Sequence, residues 1–159
     1  MSEEGTNNAD NPGVVAPPPL IYLAALAAGL LVNSIYPVRS LPRGGSRVAG
    51  LPLVLGGLLI GLLGVREMRR AETNVDPYKP TTAIVERGPY RFTRNPLYVG
   101  MTLMYGGFSV LANALAPILL LPAVFAIMRR GVIEREERYL ERKFGDEYLE
   151  YKGRVRRWI

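Results

Sequence analysis

The chain has 159 residues, enough for one domain, with a net charge of +6 and neither cysteine nor histidine. That composition excludes a disulfide framework, a thiolate zinc site, a thiol nucleophile, a Ser-His-Asp triad and the histidine-containing metalloprotease motifs. Chemistry must rest on Asp, Glu, Lys, Arg or Tyr, or on a cofactor that brings its own reactivity.

The hydrophobic share, 48%, is ordinary for a soluble protein, but it is segregated into long uncharged runs. Residues 1–19 hold Asn, Pro, Gly and acid with no basic residue, and read as a disordered tail rather than a signal peptide. Residues 20–38 are uncharged and rise about 28 Å as a helix, enough for a hydrocarbon core of about 30 Å. A basic loop with Arg39, Arg43 and Arg47 follows, then a second uncharged run, 48–65. Gly57, Gly61 and Gly64 fall near one face of it, either as a seat for another helix or as part of a plain lipid-facing span.

Residues 66–95 are polar and broken by Pro77, Pro80, Gly88 and Pro89, a connection too long for a plain turn. Residues 96–128 carry no charge, yet one helix of that length would extend about 50 Å, too far for a single span. Asn113 and Pro117 mark a break, so the run reads as a hairpin with arms 96–112 and 115–128. Residues 129–159 are densely charged and helical in pattern, with Ile133, Glu137, Leu140 and Phe144 on one stripe. Gly145 is placed to stop that helix, and Asp146 to cap a last short one.

The hairpin puts all but three of the 20 Lys and Arg on one side, which the positive-inside rule makes cytoplasmic. Basic residues there serve as flanks facing anionic headgroups rather than as a nucleic-acid surface. The expected fold is all-α: a polytopic membrane helical bundle of about four transmembrane helices (20–38, 48–65, 96–112, 115–128) with a cytoplasmic C-terminal helical cap (129–159). One domain spans 20–159, and the basic asymmetry with short loops suits a prokaryotic inner membrane.

Three clusters on that side carry chemistry. Arg91 and Arg94 are guanidinium forks suited to carboxylate or phosphate, and Asn95-Pro96 opens a membrane helix as cap and first turn. Glu137 interrupts an apolar stripe and wants a guanidinium, ammonium or hydroxyl partner, unless the helix is simply solvated with i,i+4 pairs. Tyr148 and Tyr151 share a helical face, as a wall for a flat ring or apolar chain, or as an ordinary headgroup-level belt.

Together, Thr73, Pro77, Gly88-Pro89-Tyr90-Arg91, Arg94-Asn95-Pro96-Leu97-Tyr98-Val99-Gly100, Glu136-Glu137, Phe144-Gly145, Tyr148, Tyr151-Lys152 and Arg154-Val155 make a pattern. It resembles the integral membrane methyltransferases that include isoprenylcysteine carboxyl methyltransferase and the phospholipid methyltransferases. The resemblance implies S-adenosylmethionine held at the cytoplasmic end by Tyr90, Arg94, Asn95, Pro96, Tyr98, Gly100, Glu136 and Glu137. It implies Arg154, Arg94 and Glu137 as catalytic residues, and Tyr148, Tyr151 and Arg154 as residues facing the substrate. The lack of Cys and His points to no metal, and the resemblance implies a lipid-like acceptor drawn from the bilayer. Arg94-Asn95-Pro96 follows the phospholipid branch, where the prenylcysteine branch has Arg-His-Pro; the C-terminal cluster follows the prenylcysteine branch, but Val155-Arg156-Arg157 lacks its Val-Pro.

A carboxylate acceptor is already ionised at neutral pH and needs no base, which suits a chain without histidine. The expectation is therefore methyl transfer to an isoprenylcysteine-like or isoprenoid carboxylate. The alternatives are N-methylation of a phospholipid amine, with Glu136, Glu137 or water taking the proton, or a non-catalytic lipid-binding module. A membrane reductase would need a longer bundle.

Overall fold

A computed structural model describes residues 10–39 and 45–159. The chain forms α1 (Pro18–Ile35), α2 (Gly45–Arg70), a short 3-10 turn (Gly88–Arg91), α3 (Pro96–Leu111), α4 (Leu115–Met128), a π-turn (Arg129–Ile133), α5 (Glu134–Phe144) and α6 (Asp146–Arg154). Among the described residues there is no strand, and the fold is a helical membrane bundle, as expected. α1, α2 and the rod that runs from α4 through α5 are long and apolar enough to cross a membrane; α3 is a shorter apolar helix. In that rod the apolar part is α4, and charge begins at Arg129. Part of the basic loop, residues 40–44, and the start of the tail, residues 1–9, lie outside the described residues.

α1 begins at Pro18, two residues before the apolar run, because a proline fits the first helical turn without losing a bond. α2 runs on to Arg70, beyond the apolar run, with Arg69 and Arg70 in its last turn, where cations favour the helix dipole. The break between α3 and α4 falls at Asn113, whose φ of 50° is the left-handed conformation Asn tolerates. α3 packs on α2 and on α1, and α1 packs on α4.

The α2–α3 pair is antiparallel and very close. A Cβ on Gly57 would lie 2.5 Å from the Gly100 carbonyl oxygen, and one on Gly107 would lie 2.9 Å from that of Gly50. Small residues allow backbones to approach where lipid supplies no hydrophobic drive. Gly57→Val is expected to cost about 2 kcal/mol or more through overpacking against backbone. Gly56→Ala, with nothing within 4 Å of its new Cβ, is expected to cost nothing. Thermal unfolding in detergent compares the two.

The tyrosine hydroxyls within the apolar helices are satisfied internally, as an apolar solvent requires, whereas the buried Asn33 Oδ1 of α1 has no hydrogen-bond partner among the described residues. The Tyr22 hydroxyl meets Thr102 Oγ1 at 2.8 Å, and the Tyr105 hydroxyl donates to the Pro117 carbonyl at 2.7 Å.

Residues 10–17 depart from the expected disordered tail. Val14 is buried in the core, the Val15 N–H donates to the Gly131 carbonyl at 3.1 Å, and Arg135 donates to the Gly13 carbonyl at 2.8 Å. Asp10 accepts from Lys143 Nζ at 2.7 Å and from the Tyr139 hydroxyl at 2.7 Å. Buried Val14 gives this strap of residues 10–17 an apolar anchor, and the π-turn offers a carbonyl to bind it, so the polar composition around them does not decide its order.

Candidate functional site

The lengths of the helices create the site. Gly64 of α2 lies against Leu97 near the start of α3, yet α2 continues to Arg70, about 9 Å farther. The α4–α5 rod also overshoots. α3 therefore starts in a recess, and the recess holds a cavity of about 130 Å³ that opens outward.

Its floor is the start of α3, with Arg94, Asn95, Pro96 and Tyr98. One wall is α5 with Glu136 and Glu137, and another carries Tyr90, Tyr148 and Tyr151. The connection after α2 closes a further side. It is irregular but pinned: the Thr82 N–H donates to Thr73 Oγ1 at 3.0 Å, and Asn74 Nδ2 to the Pro80 carbonyl at 2.7 Å. Pro12 of the strap and Met68 of α2 complete the lining.

Arg94 sits at the centre with 8% of its side chain exposed. Its Nη2 is 3.2 Å from Glu137 Oε1, and its Nη1 donates to the Tyr148 hydroxyl at 3.5 Å. Its Nε is buried and has no hydrogen-bond partner among the described residues. A buried unpaired donor of a charged group is costly, and it belongs to a residue that lines the cavity.

Glu137 is held from its other side by a guanidinium fork: Arg157 Nε at 2.9 Å from Oε1 and Nη2 at 2.6 Å from Oε2. Glu136 differs. Among the described residues it pairs with no cation, and its one hydrogen bond is from the Tyr98 hydroxyl at 2.6 Å. Burial pushes its carboxyl up to about 7; the Tyr98 bond opposes this, and the Glu137 charge adds to it. Burial likewise pushes the Tyr148 hydroxyl up to about 12, so it stays protonated at neutral pH. The π-turn, an interruption frequent at functional sites, sets the phase that turns both glutamates inward.

Of the residues expected from sequence, the structure brings Tyr90, Arg94, Asn95, Pro96, Tyr98, Glu136, Glu137, Tyr148 and Tyr151 to this one cavity. Asn95 is at the N-cap position of α3, but its side chain does not cap; Nδ2 donates to the Arg157 carbonyl at 2.9 Å. Two residues fall elsewhere. Gly100 is part of the α2–α3 seam, where a Cβ would lie 2.7 Å from the Gly57 carbonyl oxygen. Arg154 is 56% exposed, off the lining, and bound to Glu86 at 3.0 Å. Sequence reasoning missed Arg157, because an extended tail has no periodicity to show which way a side chain faces. It also missed Tyr139, whose hydroxyl accepts from the Thr81 N–H at 3.2 Å and donates to Asp10.

The phospholipid methyltransferase family matches residues 46–147. The chain is 36% identical over 111 residues to the cobalt-zinc-cadmium resistance protein CzcN of Cupriavidus metallidurans, covering 70% of this chain and 50% of that protein. It is 41% identical over 64 residues to an uncharacterized protein of Haemophilus influenzae, covering 40% of this chain and 100% of that protein. The chain thus spans about half the length of CzcN. No solved structure matches it significantly. Among the described residues no group of three or more His, Cys, Asp or Glu is placed to hold a metal ion. The matched region runs from α2 through α5 and contains most of the recess lining, without Pro12, Tyr148 and Tyr151, together with Arg94, Glu136 and Glu137, and the chain belongs to the phospholipid methyltransferase family of integral membrane methyltransferases.

Proposed function

We propose that the cavity binds S-adenosylmethionine and that the protein transfers its methyl group to a lipid amine. The observation that carries this reading is the pairing of opposites in one buried space: a guanidinium with a spare donor, Arg94 Nε, and a carboxylate without a cation, Glu136. S-adenosylmethionine presents a carboxylate, positive groups and a flat ring. Arg94 Nε suits the first, the Glu136 side of the cavity the second, and the tyrosines the third.

When bound, the donor supplies a methyl group activated by a sulfonium. The chain's own residues do the rest. Glu137 fixes Arg94, the strap and the residue 73–85 wall exclude water, and Glu136 takes the proton that an ammonium must lose before its nitrogen attacks. The nitrogen–carbon bond forms as the carbon–sulfur bond breaks, and Glu136 passes the proton to solvent. Met68 and Leu97 give the cavity an apolar side toward the bilayer, where an acceptor with an apolar tail enters.

The second reading, a carboxylate acceptor such as an isoprenylcysteine, is favoured by the free Arg94 donor. Arg154, the residue expected to hold such an acid, lies off the lining. pH separates the two. Glu136 keeps its proton below about 7 and becomes a base above it. With an amine acceptor, kcat/KM is expected to rise about tenfold per pH unit below 7 and then level off. Glu136→Gln is expected to remove that limb and lower the plateau. A flat profile in the wild type points to the carboxylate. The substrate experiment itself is incubation of membranes with labelled methyl donor and identification of the labelled lipid. A labelled amine headgroup supports the proposal, and no labelled lipid sinks it.

In the same reading all four apolar helices cross the membrane, with the cavity facing the cytoplasm. A topology reporter at Gly44 is expected outside the cytoplasm and one at Lys79 inside; both on one side would remove the four-span arrangement.

A further inference from the structure

We infer that Arg157, near the end of the chain and outside the cavity lining, is a positioning residue that keeps Arg94 available to a ligand. The inference rests on the donor site proposed above. Glu137 has two oxygens, and two guanidiniums compete for them. Arg157 takes both, in a fork at 2.9 and 2.6 Å, and leaves Arg94 a single contact at 3.2 Å.

That division has a consequence for Arg94. A carboxylate and a guanidinium left alone settle into a two-bond fork. If Arg157 were absent, the fork available to Glu137 would be the one on Arg94, which can engage through Nε. The Nε donor, now unpaired among the described residues on a side chain that lines the cavity, would then be turned to the protein's own carboxylate. Arg157 prevents this by satisfying Glu137 first.

The backbone of the same tail fixes the other end of Arg94. Its N–H donates to the Arg156 carbonyl at 2.9 Å, while Thr93 Oγ1 and Asn95 Nδ2 both donate to the Arg157 carbonyl, at 3.1 and 2.9 Å. Three consecutive residues at the start of α3 are thus clipped to residues 156 and 157. The tail lies beyond the family match, which ends at residue 147.

The test is a double-mutant cycle on binding of S-adenosylhomocysteine to the full-length protein in detergent, with Arg157→Ala and Arg94→Leu. Arg157→Ala alone is expected to weaken binding about tenfold, as loss of a charged hydrogen bond does. In the Arg94→Leu background Arg157→Ala is expected to lower thermal stability, because Glu137 then loses both cations, but to change affinity measured below that transition no further, because its effect on binding runs through Arg94. Arg157→Lys keeps the charge without the fork and is expected to recover only part of the loss. In turnover, Arg157→Ala is expected to raise KM for the donor and leave kcat within about threefold. A tail that merely held the fold together would lower both, and its effect would add to that of Arg94→Leu. Wild-type protein without affinity for the product overturns the donor site and the clamp with it. A wild type that binds, beside an Arg157→Ala variant that binds equally or adds in the cycle, overturns the clamp alone.

Discussion

Arg94→Leu is expected to weaken binding of S-adenosylhomocysteine by on the order of 100-fold while leaving the bundle folded. Two magnitudes set that outcome. A hydrogen bond to a buried charge contributes about 1.5–3 kcal/mol, and the substitution removes the spare Nε donor with its charge. The cost to the fold stays small, because Glu137 keeps the Arg157 fork and is not left as a bare buried anion. Leucine fills most of the arginine stem's volume, so no large void forms. Titration calorimetry gives the affinity, and thermal unfolding in the same detergent reports the fold. A variant that binds the product as well as wild type returns Arg94 to a purely structural ion pair.

Glu137→Ala reverses the balance. It is expected to destabilise the protein by about 3–5 kcal/mol, the cost of removing one partner of a buried pair. Arg94, at 8% exposure, keeps only the long Tyr148 contact, whereas Arg157, at 28%, turns to water. The polar end is expected to loosen first, so limited proteolysis should cut around α5 and α6 before the spans unfold. The sequence left Glu137 a guanidinium, ammonium or hydroxyl partner, and the resemblance implied a cofactor contact. The structure gives it two partners in the protein, and for that reason its loss registers in stability as well as in binding. Glu137→Ala with wild-type thermal stability would contradict this electrostatic account.

The apolar helices were legible because a bilayer imposes a length. Uncharged runs of a hydrocarbon core's thickness leave little choice, and the uncharged run of residues 96–128 had to break somewhere. Asn113 was a good place, since Asn tolerates the left-handed conformation it adopts, with φ 50°. Gly145, with φ 55°, ended α5 where a glycine was needed. Most of the cavity residues were legible too, but through the resemblance rather than through periodicity: no spacing rule connects Tyr90 with Tyr151, whose hydroxyl donates to the Tyr90 carbonyl at 2.9 Å.

What was not legible depends on relative position along the bundle axis. That α3 starts about 9 Å short of the end of α2 follows from the register of glycines across the seam, which a single sequence does not state. Gly100 matched the motif, yet its neighbours Gly57 and Gly61 give it a packing contact. Arg154 matched a basic position, but from the end of α6 it reaches Glu86, while Arg157, three residues on, reaches Glu137. A side chain in an extended tail can face either way, and only the hydrogen bonds of its backbone decide.

The central claim is that the recess beneath α3 is the methyl-donor site. Ultraviolet cross-linking of labelled S-adenosylmethionine to the purified protein, with peptide mapping, tests it most directly. Label is expected on peptides holding residues 90–98 and 136–151, and excess S-adenosylhomocysteine should abolish it. Label confined to the spans or to the outer surface, or label that the product does not displace, would contradict the account.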